Sequence, residues 1–141
     1  MVKKPSKKTR SKRSTFAKWI WENQVKPIVR MQAGNRCAIC KVDGTYKQLH
    51  CHHLNGRQNI YMLTYLPNIM LLCATHHTLS NDQAAHSQTK DGRDAFDSWL
   101  ESYLGKDNIE KLSYLRRNSP KLSLQDLEDL YESYKKMLDE C

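Results

Sequence analysis

The sequence predicts an α+β fold in which a small ββα core lies between a helical segment and a group of C-terminal helices. Two Cys/His pairs of equal spacing, Cys37–Cys40 and Cys73–His76, enclose a region with extended segments. Apolar residues recur with helical periodicity on both sides of this region. We therefore predict four parts: a basic arm (1–14), an N-terminal helical segment (15–36), the core (37–90) and a C-terminal helical region (91–141).

Positive charge is concentrated near the N-terminus. Residues 1–36 contain eleven Lys or Arg and one acidic residue, whereas residues 91–141 contain eight and twelve, in a chain of net charge +8. The first 14 residues have almost no large apolar side chains to bury, so we predict a disordered arm. Such an arm can bind nucleic-acid phosphates, although a solubilising or nuclear-targeting tail has the same composition. The cations of the arm are Lys3, Lys4, Lys7, Lys8, Arg10, Lys12 and Arg13.

Length and hydropathy limit the class of protein. A chain of 141 residues has room for one domain with a modest core. It contains no apolar run as long as a membrane span, and no hydrophobic segment follows the basic N-terminus as it would in a secretory signal. We therefore expect an intracellular, cytoplasmic protein without a membrane partner.

A helix is predicted at the start of the second part. Its apolar residues Phe16, Trp19 and Ile20 have the i, i+3, i+4 spacing of a buried helix face. Pro27 should interrupt this helix and open a second short one, which Gly34 would close.

The spacing of the cysteines predicts a zinc site. Cys37 and Cys40 form a C-x-x-C pair, and Cys73 and His76 repeat its spacing. Two residues three apart on a tight turn can face one ion, so two such pairs supply the four ligands of a tetrahedral Zn²⁺. A redox-active C-x-x-C is the alternative for the first pair, but it leaves the second pair unexplained. A closed zinc site would stabilise a small core.

Two extended segments are predicted between the two pairs. Apolar and polar residues alternate over Lys47–His53, which indicates a strand, and Asn55–Gly56 is a turn signal directly after it. A second extended segment follows, and Pro67 ends it before the apolar run over residues 68–73. Residues 74–81 contain no helix breaker, so we predict a helix there.

The order and spacing of these residues are similar to those of the HNH endonuclease family. The shared pattern is a C-x-x-C pair, then His-His, then Asn, then a second metal-binding pair followed by His, and it extends over residues 37–81. The resemblance implies a ββα core around one catalytic metal ion, with a separate structural zinc ion, and hydrolysis of DNA phosphodiester bonds. His76 stands where the family more usually has cysteine. The matching residues are Cys37, Cys40, His52, His53, Asn68, Leu72, Cys73, His76 and His77.

The resemblance also implies a role for each residue of the catalytic part. His53 matches the general base, and a neutral imidazole can take a proton from water near pH 7. His52 and His77 match the ligands of the catalytic ion, for which we expect Mg²⁺ or Mn²⁺, with Ni²⁺ or Zn²⁺ as alternatives. Asn68 matches a residue whose amide holds a loop and helps to orient the base. Arg57, just beyond the base, is a candidate for clamping the scissile phosphate.

Two alternatives stay open. Neighbours on a regular strand point to opposite faces, so His52 and His53 share a site only where the strand ends or bulges. On a straight strand His50 and His52 share a face, and His50 would then be the ligand. The second alternative concerns the whole chain, which would be a zinc module that binds nucleic acid without catalytic activity.

The last region is predicted to be helical. Apolar stripes extend over Phe96–Leu104, Ile109–Leu115 and Leu127–Leu138. Gly105 should end the first helix, and Ser123–Asp126 resembles a capping box at the start of the third. These helices would pack on the core or pair with a second copy to form a homodimer, and the pattern favours neither.

Part of this region also resembles a second group of proteins. The stretch FDSWLESYLGKDNIEKLSYL is similar to the segment after the nuclease core in phage recombination endonucleases of the NinG/Rap type. This resemblance implies branched or recombination DNA as the substrate. It also implies a phage-encoded protein acting in the host cytoplasm, and a dimer that cuts paired strands.

Overall fold

The structure, a computed structural model, describes residues 4–45 and 47–140. Over these residues it is a mixed α+β fold with a two-stranded antiparallel sheet. The described helices include none with the length and apolar character that crossing a membrane would require. One hydrophobic core joins the N-terminal helices, the sheet and the last helix, and its members include Phe16, Ile20, Val25, Ile28, Leu71, Leu72 and Leu127.

The basic arm is ordered from residue 4 onward, so the prediction of disorder over residues 1–14 is wrong for most of this segment. It contains a short helix, α1 (Lys7–Arg10). The Nε of Arg10 donates to Glu128 Oε1 at 2.7 Å, and the guanidinium lies over the ring of Tyr131. These partners belong to the last helix, so the composition of the arm alone could not reveal them. Lys3 lies outside the described residues.

The next helices form one continuous stretch through Pro27. Helix α2 (Arg13–Ile20) leads into a π-helical turn (Trp21–Val25) and then into α3 (Lys26–Gln32). The N–H after the π-helical turn bonds to a carbonyl five residues back, and Pro27, which has no N–H, falls in the first turn of α3. The predicted interruption at Pro27 is therefore wrong. The predicted end is confirmed, because α3 stops just before Gly34, whose φ is +62°.

The two strands form a regular antiparallel ladder. Strand β1 (Leu49–His53) pairs with β2 (Ile69–Cys73), with Leu49 opposite Cys73 and His53 opposite Ile69. All five residues of β2 are buried, as its apolar sequence requires. Gly56, in the turn after β1, has a φ of +82°.

The segment between the strands is helical, so the extended segment predicted before Pro67 is wrong. Helix α4 (Ile60–Thr64) begins at Asn59, whose side chain accepts a hydrogen bond from the Met62 N–H at 2.7 Å. Asparagine is a strong N-cap, and this local signal outweighs the β-propensity of the residues that follow it.

The helix predicted after β2 is shorter than expected. A single π-helical turn (Thr75–Leu79) follows β2, and residues 80–89 form a loop. This turn carries the second half of the Cys/His pattern, including His76 and His77.

Three helices complete the chain, as predicted. They are α5 (Lys90–Leu104), α6 (Lys106–Arg117) and α7 (Leu124–Asp139). Gly105 separates the first two with a φ of +87°. The capping box at Ser123–Asp126 is confirmed, since both of its reciprocal hydrogen bonds are present.

Helix α7 packs on the rest of the chain. Leu127, Tyr131 and Tyr134 are buried in the shared core. The hydroxyl of Tyr134 donates to the carbonyl of Thr64 at 2.6 Å, which ties α7 to α4. The sequence left open whether the C-terminal helices pack on the core or pair with a second copy, and α7 packs on the core. A homodimer stays a prediction.

Candidate metal centres

Four of the sequence-predicted ligands converge at one point. The ligand atoms of Cys37, Cys40, Cys73 and His76 all lie within 4.8 Å of one another. Cys40 Sγ is 3.7 Å from Cys73 Sγ, which in turn is 3.3 Å from His76 Nδ1. Two sulfurs bound tetrahedrally with bonds near 2.3 Å lie about 3.8 Å apart, whereas a disulfide is about 2.05 Å long. The cluster therefore has the dimensions of a metal site and can hold a metal ion.

The first pair of this cluster is held against β2 by its backbone. The Cys37 N–H donates to Val42 O at 3.1 Å, and the Ala38 N–H donates to Leu71 O of β2 at 2.9 Å. Burial alone would raise the pKa of the Cys37 thiol, but hydrogen bonds from nearby backbone N–H groups lower it overall. For Cys37 this favours the thiolate, which is the form that binds metals, whereas burial raises the pKa of the Cys73 thiol.

A second group consists of three histidines. The ligand nitrogens of His52, His77 and His86 also lie within 4.8 Å of one another. Their ring centroids are 5.1 Å apart for His52 and His77, 4.8 Å for His52 and His86, and 5.1 Å for His77 and His86. Three protein ligands leave a position free on a four-coordinate ion. This histidine cluster can therefore hold a metal ion that remains open to a further ligand.

The sequence analysis did not identify His86, which lies outside the motif of residues 37–81. The His86 N–H donates to His77 O at 2.8 Å, so the loop after the π-helical turn folds back on that turn. Gly92 lets the same loop pack closely on α5, because a Cβ there would overlap Ser87 Oγ and lie 2.8 Å from Asn81 O. These loop contacts cannot be predicted from the spacing of residues along the sequence.

Burial keeps two of the three cluster histidines neutral. Desolvation is the main cause that lowers the pKa of His52 to about 3 and that of His77 to about 4, and the charge of His86 adds to it. The ring of Phe96, from α5, covers His52 at a centroid distance of 5.9 Å. A metal ion binds the unprotonated imidazole, so these two side chains are in the binding form near neutral pH.

His50 contacts the histidine cluster without belonging to it. Its ring and that of His52 both lie 5.1 Å from the ring of His77, so the two strand residues share a face as regular alternation requires. His50 Nδ1 is 3.0 Å from His77 Nδ1. The structure thus groups His52, not His50, with the other candidate ligands. A contact such as that of His50 can orient a ligand ring.

His53 lies against different neighbours. Its ring centroid is 4.4 Å from that of Trp21, and its Nε2 is 3.0 Å from the carbonyl oxygen of Leu63. Since a carbonyl can only accept, Nε2 carries the proton in the neutral ring and Nδ1 has the free lone pair. Burial is the main cause that lowers the pKa of His53, with smaller contributions from Arg57 and Lys26, while the Leu63 carbonyl opposes the change.

One cavity of about 580 Å³ nevertheless brings His52 and His53 together. Within the described residues β1 pairs only with β2, so side chains from both of its faces can border a cavity along its other edge. This space, called the histidine cavity below, is also lined by His77, His86, Arg57 and Arg116. The strand therefore needs no bulge to present both residues to one site.

Asn68 holds the loop between β1 and α4. Its side chain is fully buried, and its Oδ1 accepts a hydrogen bond from the Asn55 N–H at 2.8 Å. Its Nδ2 donates to Gly56 O at 2.9 Å and to Met62 O at 3.0 Å. Leu63, whose carbonyl oxygen contacts the candidate base His53, is the residue directly after Met62. These contacts are those expected of a residue that positions the loop.

The predicted DNA-binding cations occupy different environments. Arg10 is paired within the chain, and the Nε of Arg13 donates to Leu122 O at 2.6 Å. Arg57 is exposed at the histidine cavity. The remaining described cations of the arm, Lys4, Lys7, Lys8 and Lys12, are exposed.

No protein-family model, no curated protein and no solved structure matches the chain. The two Cys/His groups and the histidine cavity are the features from which a function can be inferred.

Proposed function

We propose that the chain is a metal-dependent endonuclease of the HNH type, which hydrolyses phosphodiester bonds of DNA. One observation carries this proposal: the histidine cluster and the candidate base His53 border the same cavity. A structural finger closes its metal site with four protein ligands. Three nitrogen ligands beside a spare neutral imidazole are instead the components of a hydrolytic site.

In this proposal, the cluster of Cys37, Cys40, Cys73 and His76 binds Zn²⁺ and has a structural role. Thiolate and imidazole ligands suit Zn²⁺, and the sulfur spacing of 3.7 Å fits tetrahedral coordination. Four protein ligands leave no position for a substrate. Because the cluster joins the turn after α3 to the end of β2, the bound ion would hold the sheet that carries His52.

The histidine cluster is proposed to bind the catalytic ion through His52, His77 and His86. When bound, this ion would stabilise negative charge on the scissile phosphate and on the departing 3′ oxygen. Imidazole ligands suit Zn²⁺ and Ni²⁺, whereas Mg²⁺ and Mn²⁺ prefer oxygen ligands. The donor set therefore favours Zn²⁺ or Ni²⁺ over the two metals that we expected first from the sequence. His50 would hold the ring of His77 through its contact at Nδ1.

His53 is proposed to act as the general base. It would accept the proton of the attacking water at Nδ1, because the carbonyl of Leu63 keeps the other proton on Nε2. Packing against Trp21 limits rotation of the His53 ring. Arg57 lies over the same indole, 5.8 Å from its centroid, and would bind the phosphate from that side. Asn68 acts as a positioning residue for the loop.

Cleavage of supercoiled plasmid tests the proposal. We expect nicking with Zn²⁺ or Ni²⁺, slower nicking with Mg²⁺, and a loss of about 100-fold or more in His53→Ala. Cys51→Ala, which changes a strand neighbour without a proposed role, is the matched control and should retain the rate. If His53→Ala nicked the plasmid at the wild-type rate, His53 would not be the general base. If the unaltered chain did not cut the plasmid with any of these ions, the proposed endonuclease activity would be refuted.

The alternative function is a zinc module that binds DNA without cutting it. That module would retain DNA binding in a gel-shift assay while showing no nicking, so the two assays together separate the classes. The finer proposal of a branched or recombination substrate is tested by comparing a four-way junction with linear duplex of the same length. Light scattering after size exclusion tests the proposed homodimer.

A further inference from the structure

A groove leads away from the histidine cavity along the loop after β1. The cavity of about 580 Å³ shares Gly56 and Arg116 with a recess of about 70 Å³. This recess shares two residues of the loop with an outer cavity of about 370 Å³. One wall of the groove is formed by residues 55–61, which are the loop after β1 and the start of α4, and the other by Arg116 with residues 119–122. These three spaces therefore lie next to one another, from the candidate active site to the surface beside the start of α2.

Each of the three spaces of this groove is lined by at least one cation. Arg57 and Arg116 border the histidine cavity, and Arg13 and Lys121 border the outer cavity. The residues that line the recess and the outer cavity, all of them described, include no Asp or Glu. Asp97 is the acidic residue that lines the histidine cavity. Arg116 and Lys121 come from residues 91–141, although this part of the sequence is acidic as a whole.

Three of these cations are available to a ligand. Arg57, Arg116 and Lys121 are exposed, and among the described residues none of them forms an ion pair with a carboxylate. The Nε of Arg116 would lie 3.8 Å from a Cβ placed on Gly56, so the two walls approach each other closely at the mouth of the recess. The fourth cation, Arg13, is bonded to the carbonyl of Leu122 and fixes the far end of the second wall.

We propose that this groove binds a DNA strand through its phosphates and leads it into the histidine cavity. The identity of the polymer rests on the proposed function, whereas the charge and shape of the groove do not. A row of exposed cations on both walls binds a polyanion by releasing counterions, and amide side chains such as Gln58 can donate to phosphate oxygens. Arg57 and Arg116, which both border the histidine cavity, would bind phosphates next to the scissile bond. Helix α6 is then part of the substrate site.

DNA binding by a non-cutting variant tests this proposal. In a His53→Ala background, Arg116→Gln with Lys121→Gln removes two groove cations while retaining most of each side chain. Lys106→Gln with Lys111→Gln is the matched control, because it removes the same charge from exposed positions of α6 that do not line the groove. Binding of a labelled 20-base-pair duplex is followed by fluorescence anisotropy over a series of salt concentrations, without added divalent metal.

The groove substitutions should raise Kd about tenfold or more at 0.1 M salt and reduce the slope of log K against log salt by about 1.8, or 0.9 for each cation lost. The control pair should change both quantities much less. Equal changes in Kd and in slope for the two pairs of substitutions would refute DNA binding in the groove, whether or not the chain cuts DNA. A groove-specific effect in a chain that cuts no plasmid would uphold the groove and refute the nuclease. Melting temperatures of all variants establish that each is folded.

Discussion

Replacing Asn68 with aspartate should destabilise the protein strongly, although the two side chains have nearly the same shape. The new side chain could still accept the hydrogen bond from the Asn55 N–H. Its second oxygen, however, would face the carbonyls of Gly56 and Met62, to which Nδ2 now donates at 2.9 and 3.0 Å. Two favourable contacts would become repulsive at a residue with no solvent exposure.

The size of the effect follows from these two carbonyls. Leaving a buried acceptor without a donor costs about 1–3 kcal/mol, and the hydrogen bond to Met62 is buried whereas that to Gly56 is only partly so. We therefore expect the free energy of unfolding to fall by about 2–4 kcal/mol. For a chain of 141 residues this corresponds to a decrease in Tm of roughly 7–14 °C.

Urea denaturation followed by tryptophan fluorescence measures this change at constant zinc concentration. Asn118→Asp is the matched control, because Asn118 also donates through Nδ2 to a carbonyl, that of Tyr114, but at an exposed position. That variant should change stability by less than about 1 kcal/mol. A difference of less than 1 kcal/mol between the two variants would refute the reasoning, because the loop would then not depend on the buried amide.

Three further predictions concern the metal centres and α7. Cys40→Ser should reduce bound zinc, measured by atomic absorption, whereas Cys51→Ser should retain it; equal zinc in both would remove Cys40 from the ligand set. Gly92→Ala should weaken Ni²⁺ binding to the histidine cluster in calorimetry despite the higher helix propensity of alanine, because the new Cβ would displace the loop at Ser87; unchanged affinity would show that the loop can yield. Burial raises the pKa of Tyr134 above its usual value of 10, so its contribution to stability is complete below pH 10 and is lost as the pH rises further, when the unfolded chain ionises first. The urea midpoint should therefore fall more between pH 9 and pH 11 in the unaltered chain than in Tyr134→Phe, and parallel curves would contradict this.

Much of the structural framework was predictable because its signals are local. The capping box at Ser123–Asp126 and the helix end before Gly34 depend on residues within one turn of each other. The same holds for the Cys/His spacing, which identified all four residues of the first metal cluster. Two predictions were wrong for different reasons. The arm was predicted to be disordered, but Arg10 binds Glu128, which is distant in the sequence. An extended segment was predicted before Pro67, but Asn59 caps a helix there.

By itself, the sequence determined the four residues of the first candidate metal cluster and the strand that carries His52. Spacing along a turn or a strand fixes the relative directions of nearby side chains, and for this reason His50 and His52 share a face. The tertiary structure alone decided that His86 joins His52 and His77, and that Arg116 and Arg57 border one cavity. These groupings depend on how a loop and a helix fold back on the sheet, and such long-range contacts leave no periodic trace in the chain.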